Sequence, residues 1–336
     1  MIATASTLRA PEPILVVGGY GYRNIGDEAI LAGLLTSLAG KQVTIVSRAP
    51  AETQAMHGVP SVGIAGALGA LRRHRTLLIG GGGLFGSDMG RLGRLLPAYG
   101  IIAALSGRTV AVEGVDIDAG MPIVTRALVR GLLSRAAHVS VRDVASARTL
   151  EGWGVGVVDV EPDLSERMVP AAPSVGVRLL RESGIEPGRP VVGLSLTAVN
   201  DRMVGPILAT IAVAMERHPG VQFCFIPMSQ HPFVSRHNDL VLAQRLRRLR
   251  PELRIIEGDR HPAAILAVFG ALDIAVCMRY HSLLFAHRCG VPIIPIAYAD
   301  KCRRWLEAHD MAPMHPTPTA IADALAHLVP AARLAS

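Results

Sequence analysis

The sequence predicts an α/β fold of two doubly wound, Rossmann-like lobes with a central cleft between the domains. Short apolar runs alternate with helix-length segments along the chain, which is typical of parallel strands joined by helical crossovers. A proline-rich stretch between Val160 and Pro190 interrupts this alternation once. The 336 residues exceed one ordinary domain, and half are hydrophobic but only 4% aromatic, so we expect an aliphatic core.

The first half holds a series of predicted strands. The first strand precedes a predicted helix, Asp27–Leu38, which carries Ile30, Leu34 and Leu38 on one face. The third strand is expected to end at four consecutive glycines, Gly80–Gly83. The predicted strands are Ile14–Val17, Val43–Val46, Thr76–Ile79, Thr109–Val112 and Val139–Val141.

The alternation restarts after the proline-rich stretch. We therefore predict an N-terminal α/β domain over 1–165, a linker over 166–190 and a C-terminal α/β domain over 191–336. Clefts between such domains commonly hold small molecules. The predicted strands of the second half are Val191–Ser195, Phe223–Ile226, Leu253–Ile256, Ile274–Cys277 and Pro292–Ile296.

The charge balance is basic, with a formal net charge of +7 and a pI near 9.7. The densest arginine cluster, between Arg245 and Arg254, fits the solvated face of one helix better than a nucleic-acid site. No nucleic-acid partner is therefore expected. Peripheral contact with a membrane surface and assembly into homo-oligomers both stay open.

The four cysteines lie far apart without a C-x-x-C pair, which argues against a disulfide framework and a zinc site. The first residues lack a basic start followed by an apolar stretch, so no signal peptide is predicted. No apolar run reaches about 18 residues, so no spanning helix is predicted. These patterns indicate a soluble cytoplasmic protein with neither metal nor cofactor.

Two glycine-rich loops follow predicted strands. Gly19, Gly21 and Gly26 have the wrong spacing for a dinucleotide fingerprint, and Asp27 places negative charge where a pyrophosphate would bind. Asp27 either caps the following helix or holds sugar hydroxyls. In the second loop, four consecutive glycines without a following Lys-Ser or Lys-Thr favour close backbone approach to a ligand over a Walker loop.

Basic residues follow three further strands. Arg142 ends the strand before it and either binds substrate or forms an ion pair with Asp143 or Asp163. Arg279 and His281 follow one strand, and Lys301 follows the next, so the three should lie at one sheet edge. Such a set favours an anion site with a proton-transfer group.

A histidine-containing loop follows the Phe223–Ile226 strand. His231, His237 and Asp239 resemble metal ligands in type. No helical or hairpin spacing fixes a third ligand, so no metal site is predicted.

Several motifs occur in a fixed order: GYRNIGDEA at 21–29, GGGLFGSD at 81–88, SVRD at 140–143 and MRYHS at 278–282. Gly290-Val291-Pro292 and Asp300-Lys301 follow them. Together they resemble the polysaccharide pyruvyl transferase family. The resemblance implies a two-lobed fold like that of the GT-B glycosyltransferases. It also implies transfer of a pyruvyl group from phosphoenolpyruvate to a hydroxyl pair of a glycan or glycolipid.

The resemblance also implies roles for particular residues. Arg142, His281 and Lys301 match positions that handle phosphoenolpyruvate, and His281 is the expected general acid. The GYRNIGDEA loop matches the acceptor side, where Asp27 or Glu28 would orient or deprotonate a hydroxyl. We expect further donor contacts from Arg279, Gly82 and Gly83, and acceptor contacts from Tyr22, Asn24 and Asp27.

Three other functions stay open at this point. A GT-B glycosyltransferase that uses a nucleotide sugar would also need glycine loops and a basic donor site. A catalytically inactive sugar- or lipid-binding protein would be expected to lack the arginine, histidine and lysine set, which is present here. A nucleic-acid binder would show steep salt dependence with any polyanion.

Overall fold

A computed structural model describes residues 10–86, 92–156, 158–198, 201–312 and 323. The chain divides into two compact units. The first consists of residues 1–22 and 27–169, and the second of residues 23–26 and 170–336. The short segment 23–26 therefore belongs to a different unit from the residues on either side of it. Ser87 and Asp88, the last residues of the GGGLFGSD motif, lie outside the described residues.

The first unit is built on a parallel sheet of seven strands in its described part, in the order β3-β2-β1-β4-β5-β6-β7. Strand order reverses between β1 and β4, as in doubly wound folds. The strands are β1 (Ile14–Val17), β2 (Val43–Ser47), β3 (Ser61–Gly63), β4 (Thr76–Phe85), β5 (Thr109–Ile117), β6 (His138–Val141) and β7 (Asp159–Val160).

Helices follow these strands and cover the sheet. The first of them places Ile30, Leu31 and Leu34 in a buried cluster with Ile14 and Val16 of β1. Its apolar spacing is that of the predicted helix. The helices are α1 (Ile25–Ser37), α2 (Pro50–His57), α3 (Ala67–Leu71), α4 (Leu92–Leu105), α5 (Ile123–Leu133) and α6 (Val144–Gly152).

The prediction that the third strand ends at Ile79 is wrong, because β4 continues through the four glycines to Phe85. The glycines keep their pairing with β5, where Gly80 is opposite Glu113 and Gly82 is opposite Val115. The packing of helix α1 on this strand explains why the strand contains glycines. A Cβ at Gly81 would lie only 3.3 Å from the Cβ of Ile30, and Gly81 also has a φ of +61°.

The second unit holds a parallel sheet with five strands among the described residues, in the order β10-β9-β8-β11-β12. Its strands are β8 (Val191–Ser195), β9 (Gln222–Phe225), β10 (Arg254–Ile255), β11 (Ile274–Cys277) and β12 (Ile293–Pro295). Its helices are α7 (Pro173–Glu182), α8 (Asp201–Arg217), α9 (Leu240–Leu249), α10 (Pro262–Phe269), α11 (Tyr280–Arg288) and α12 (Asp300–Ala308).

Helix α7 occupies ten residues of the predicted linker over 166–190. Pro173 lies in the first turn of α7, where its missing N–H costs nothing, so this proline begins a helix. Helix α7 packs tightly on α10, since a Cβ at Gly176 would lie 2.8 Å from the backbone nitrogen of Val268. This helix belongs to the second unit.

One buried carboxyl in the first unit should make stability depend on pH. Glu113 is 5% exposed, and burial raises the pKa of its carboxyl above 4.5, with Glu161 reinforcing the shift and His138 and Arg167 opposing it. The folded state then binds the proton more tightly than the unfolded chain. The protonated form therefore stabilises the fold at low pH, and this contribution is lost as pH rises from 4.5 through the raised pKa.

We expect Glu113→Gln to increase the free energy of unfolding at pH 7 by roughly 1 kcal/mol, because no charge is then buried. Urea unfolding at several pH values measures this difference. Glu151→Gln, at an exposed position of α6, is the matched control. Equal stability of the Glu113→Gln variant and the unsubstituted protein from pH 5 to pH 8 would contradict the raised pKa of the Glu113 carboxyl.

Candidate functional site

The carboxyl edge of the second sheet is the first candidate for a ligand site. Strand order reverses at β8, which pairs with β9 on one side and β11 on the other. Ser195 pairs with Cys277, and Cys277 with Pro295, so β8, β11 and β12 end at the same level. Ligands of doubly wound sheets bind beyond such strand ends.

His281 lies at this edge in the first turn of α11, which begins three residues after β11. The Tyr280 ring packs edge-on against the imidazole, with ring centroids 5.3 Å apart. The N-terminus of a helix carries partial positive charge and exposes backbone N–H groups. The position therefore suits a histidine that works beside an anionic ligand.

Lys301 lies at the same edge, one strand further along the sheet. It is the second residue of α12, which follows β12. The neighbouring Cys302 thiol donates a hydrogen bond to the Met278 carbonyl oxygen at 3.6 Å. This contact fastens the start of α12 to the end of β11. Arg279, His281 and Lys301 thus all follow the carboxyl ends of adjacent strands.

Arg279 is engaged with the completely buried carboxylate of Asp239. Its Nε donates to Oδ2 at 2.8 Å and its Nη2 donates to Oδ1 at 2.6 Å. The same carboxylate accepts from the backbone nitrogens of Met228 and Ser229 at 3.1 and 2.9 Å. Burial raises the pKa of Asp239, and the guanidinium and both N–H groups oppose that shift. Arg279 therefore positions the loop after β9. Its contact with phosphoenolpyruvate stays a prediction.

The segment Arg23–Gly26 pairs with that same loop of the second unit. The Ile25 nitrogen donates to the Met228 carbonyl oxygen at 2.8 Å, and the Gln230 nitrogen donates to the Arg23 carbonyl oxygen at 2.9 Å. Asn24 forms an antiparallel bridge with Ser229. Its side-chain oxygen accepts from the Gly26 nitrogen at 3.1 Å, which closes a local turn. Asn24 thus shapes the segment, and its predicted contact with an acceptor is untested.

Gly26 brings the first sequence motif against the histidine motif within the second unit. A Cβ at this position would lie 2.7 Å from Cγ and 2.8 Å from Cε1 of the His281 imidazole. Real side chains do not approach so closely. Only glycine therefore lets the segment pack on the ring, and no local pattern in the sequence indicates this long-range contact.

Two buried hydroxyls on β8 and its continuation were not singled out from the sequence. Ser195 and Thr197 are each 1% exposed, and neither side-chain oxygen has a hydrogen-bond partner among the described residues. Ser195 is opposite Cys277, whose thiol donates to the Ser282 carbonyl oxygen of α11 at 3.4 Å. Buried hydroxyls normally form hydrogen bonds. Where no protein group is available, ordered water or a ligand oxygen can be the partner.

Arg142, in the first unit, forms an ion-pair network. Its Nη2 donates to Asp116 at 2.6 Å and its Nη1 donates to Asp163 at 3.2 Å, with only 2% of the side chain exposed. Of the two ion pairs considered from sequence, the one with Asp163 is therefore present. The Asp143 carboxylate caps α6 by accepting from the Ser146 nitrogen. The contact of Arg142 with phosphoenolpyruvate stays a prediction.

Glu28 in the first unit holds the glycine loop. Its Oε1 accepts from the Gly21 nitrogen at 2.8 Å, and its Oε2 lies 2.8 Å from Nε2 of His57. Glu28 and His57 side chains are 4% and 1% exposed. The prediction that Glu28 acts on a hydroxyl is untested. His57 was not considered from sequence, because the pair joins residues that are far apart in the chain.

Asp27 lies between the glycine loop after β1 and the glycines of β4 in the first unit. A Cβ at Gly19 would be 3.2 Å from its Oδ2, and a Cβ at Gly82 would be 3.4 Å from its Oδ1. Gly83 is exposed, with open space around its Cα, and Tyr22 is half-buried. The glycines thus let two backbone segments approach one carboxylate, which is consistent with either role considered for Asp27.

Comparison with solved structures defines the class of fold. Anabaena HepE in complex with UDP and glucose is 15% identical, with a TM-score of 0.64 over 96% of this chain and 94% of that one. UDP-GlcNAc 2-epimerase from Neisseria meningitidis bound to UDP-GlcNAc is 12% identical, with a TM-score of 0.63 over 96% and 93%. These similarities confirm the predicted fold class of two Rossmann-like, GT-B-type α/β units.

The family follows from sequence. The model of the polysaccharide pyruvyl transferase family matches residues 24–300, so the chain belongs to that family. Comparison with curated proteins gives no match by sequence.

Neither a membrane-spanning helix nor a metal-binding cluster occurs in the described part of the chain. No helix there combines the length and apolarity needed to cross a bilayer. The same residues hold no group of three or more histidine, cysteine or acidic side chains placed to bind a metal ion.

Proposed function

We propose that this protein transfers the pyruvyl group of phosphoenolpyruvate to two hydroxyls of a glycan or glycolipid and forms a cyclic ketal. The observation that carries the proposal is the position of His281. It lies at the start of α11, on the sheet edge where strand order reverses, and it packs on Gly26 of the other family motif. Membership of the pyruvyl transferase family supports the same chemistry.

Donor binding is proposed for the second unit. Phosphoenolpyruvate carries a phosphate and a carboxylate, so it requires cationic groups and hydrogen-bond donors. Lys301 and the N-terminus of α11 supply positive charge at the edge, and Ser195 and Thr197 have hydroxyls without protein partners among the described residues. Arg142, Arg279, Gly82 and Gly83 remain proposed donor contacts that binding measurements with variants can test.

The proposed reaction balances without a cofactor. His281 donates a proton to the methylene carbon of phosphoenolpyruvate, and a glycan hydroxyl oxygen bonds to the central carbon. The bond from that carbon to the phosphate oxygen then breaks and phosphate leaves. A second hydroxyl oxygen bonds to the same carbon and completes the ketal. Of the two hydroxyl protons, one replaces the proton that His281 gave and the other leaves with phosphate.

Acceptor recognition is proposed for Tyr22, Asn24 and Asp27. The Asp27 carboxylate, which Gly19 and Gly82 approach closely, suits the orientation or deprotonation of a sugar hydroxyl. Glu28 is proposed to support this role by fixing Gly21 of the first loop.

A second candidate function is sugar transfer from a nucleotide sugar, because solved structures with this fold contain UDP or UDP-GlcNAc. Thermal-shift measurements with phosphoenolpyruvate, UDP and GDP separate the two. A ligand at a hundredfold excess over its dissociation constant stabilises the folded state by about 2.7 kcal/mol. We expect stabilisation by phosphoenolpyruvate, whereas stabilisation by UDP or GDP alone would favour the second candidate.

Gly26→Ala should lower kcat for pyruvyl transfer by at least about tenfold, because the new methyl group overlaps the imidazole and must displace it. Steady-state kinetics measures the change. Gly205→Ala, at a helical position of the same unit with open space around its Cα, is the matched control and should keep normal kcat. Unchanged kcat in Gly26→Ala would show that the position of the ring does not limit turnover.

A further inference from the structure

The positive charge of the first unit is concentrated in one stretch of the chain. Between Glu52 and Glu113 there are six arginines and a single acidic residue, Asp88. This stretch includes α3 and α4. The exposed arginines Arg72, Arg73 and Arg94 place positive charge at these helices.

Helix α4 also presents an apolar stripe to solvent. Leu95, Ile102 and Leu105 are 62%, 49% and 73% exposed, and Ala98 lies between them in sequence. Their spacing of three, four and three residues places these four side chains on one face of the helix. The opposite face packs in the core through Ala103. Exposed apolar side chains that form one stripe indicate an interaction surface.

The neighbouring helix α3 extends this surface. The Tyr99 hydroxyl of α4 donates to the Ala67 carbonyl oxygen at 2.8 Å, which places α3 beside α4. The next residue after Ala67, Leu68, is 59% exposed, and Ile64 is 49% exposed. The α3–α4 surface, as defined here, therefore comprises the exposed apolar residues Ile64, Leu68, Leu95, Ile102 and Leu105.

Arginines border the α3–α4 surface. Arg72 and Arg73 follow α3, and Arg94 is on α4, and all three are exposed. Within the described part of the chain, no carboxylate forms an ion pair with any of them. The Arg108 guanidinium donates to the Arg72 carbonyl oxygen at 3.3 Å, so Arg108, three residues after α4, adds a further cation beside α3.

We propose that the α3–α4 surface docks the protein on an anionic phospholipid bilayer. Apolar side chains on one helical face, bordered by arginines, match the interfacial region of such a bilayer, where acyl chains lie beneath anionic headgroups. A second copy of the chain fits less well. A twofold interface would bring the same arginines of both copies together, with no matching carboxylates.

The arginine-rich helix α9 is the natural control surface. It exposes Val241 and Leu249, which are 43% and 56% exposed. Two arginines of this region face carboxylates, since Arg247 lies 3.7 Å from Glu257 and Arg250 pairs with Glu216. Its positive charge is thus partly compensated, unlike that of the α3–α4 surface.

Vesicle co-sedimentation tests the docking proposal with the full-length protein. Vesicles of equal parts phosphatidylglycerol and phosphatidylcholine should bind the protein, and vesicles of phosphatidylcholine alone should not. Raising the salt concentration should weaken binding, because the arginines are exposed and their attraction is screened. The double variant Ile102→Ser/Leu105→Ser should reduce binding about tenfold or more, because it removes the inserted apolar groups.

The variant Val241→Ser/Leu249→Ser should bind the vesicles normally. Thermal unfolding establishes whether both double variants are folded. A further variant, Arg72→Gln/Arg73→Gln, leaves the α4 stripe intact and should also weaken binding to the vesicles. Equal binding to both vesicle types, or full binding by the α4 variant, would overturn the proposal. Light scattering provides one further outcome that would overturn the proposal. If the unsubstituted protein is a dimer and only the Ile102→Ser/Leu105→Ser variant is a monomer, the apolar stripe of α4 contacts a second copy.

Discussion

Replacing His281 with glutamine should lower kcat for pyruvyl transfer by about 10²–10⁴-fold, the usual contribution of a general acid. Glutamine keeps a polar side chain of similar reach but cannot deliver a proton to the methylene carbon. KM for phosphoenolpyruvate should change little, because the proposed donor contacts are other residues. Steady-state kinetics with phosphoenolpyruvate and an acceptor glycan measures both constants.

His287→Gln is the matched control for this substitution. His287 is an exposed residue in the last turn of the same helix, where it packs edge-on against Trp305. It should keep normal turnover, and both variants should retain their unfolding midpoints within a few degrees. Near-normal kcat in His281→Gln would remove the imidazole from the proposed mechanism.

Replacing Arg142 with methionine should destabilise the first unit by about 3–5 kcal/mol, because Asp116 and Asp163 then lose a buried partner. Urea unfolding measures the loss. Arg148→Met, on the adjacent helix α6, provides the control for removal of an arginine and should have little effect on stability.

A triple variant separates the structural role of Arg142 from donor binding. Adding Asp116→Asn and Asp163→Asn to Arg142→Met removes the unpaired charges, so most of the lost stability should return. If Arg142 also binds phosphoenolpyruvate, the triple variant will still have a raised KM for phosphoenolpyruvate although its stability is restored. A normal KM would restrict Arg142 to a structural role, and unchanged stability in the single variant would contradict the network.

Most strands of both sheets could be predicted from sequence, because parallel strands buried on both faces are continuous apolar runs. The short edge strands β3 and β7 were not predicted, since neither is buried. The extent of β4 could not be predicted. Four glycines are typical of a loop, yet Gly80 and Gly82 stay paired with β5. Helix α1 occupies the space that side chains would fill, with Leu34 beside Gly80 and Ile30 beside Gly82. Only the packed helix makes glycine necessary inside that strand.

The grouping of Arg279, His281 and Lys301 was predictable, because residues that follow adjacent parallel strands share a sheet edge. The contact of Gly26 with His281 was not, since it depends on pairing of segment 23–26 with the loop after β9. The buried hydroxyls of Ser195 and Thr197 also give no sequence signal. Serine and threonine in a strand are ordinary until packing shows that neither has a protein partner among the described residues.

The most direct test of pyruvyl transfer follows both products in one reaction. The protein is incubated with phosphoenolpyruvate and a panel of free and lipid-linked glycans, while released phosphate and glycan mass are measured. We predict one phosphate for each glycan that gains a pyruvate minus one water, and no such gain with His281→Gln. Phosphate release without a modified glycan, or a glycan extended only when a UDP-sugar replaces phosphoenolpyruvate, would contradict the proposed function.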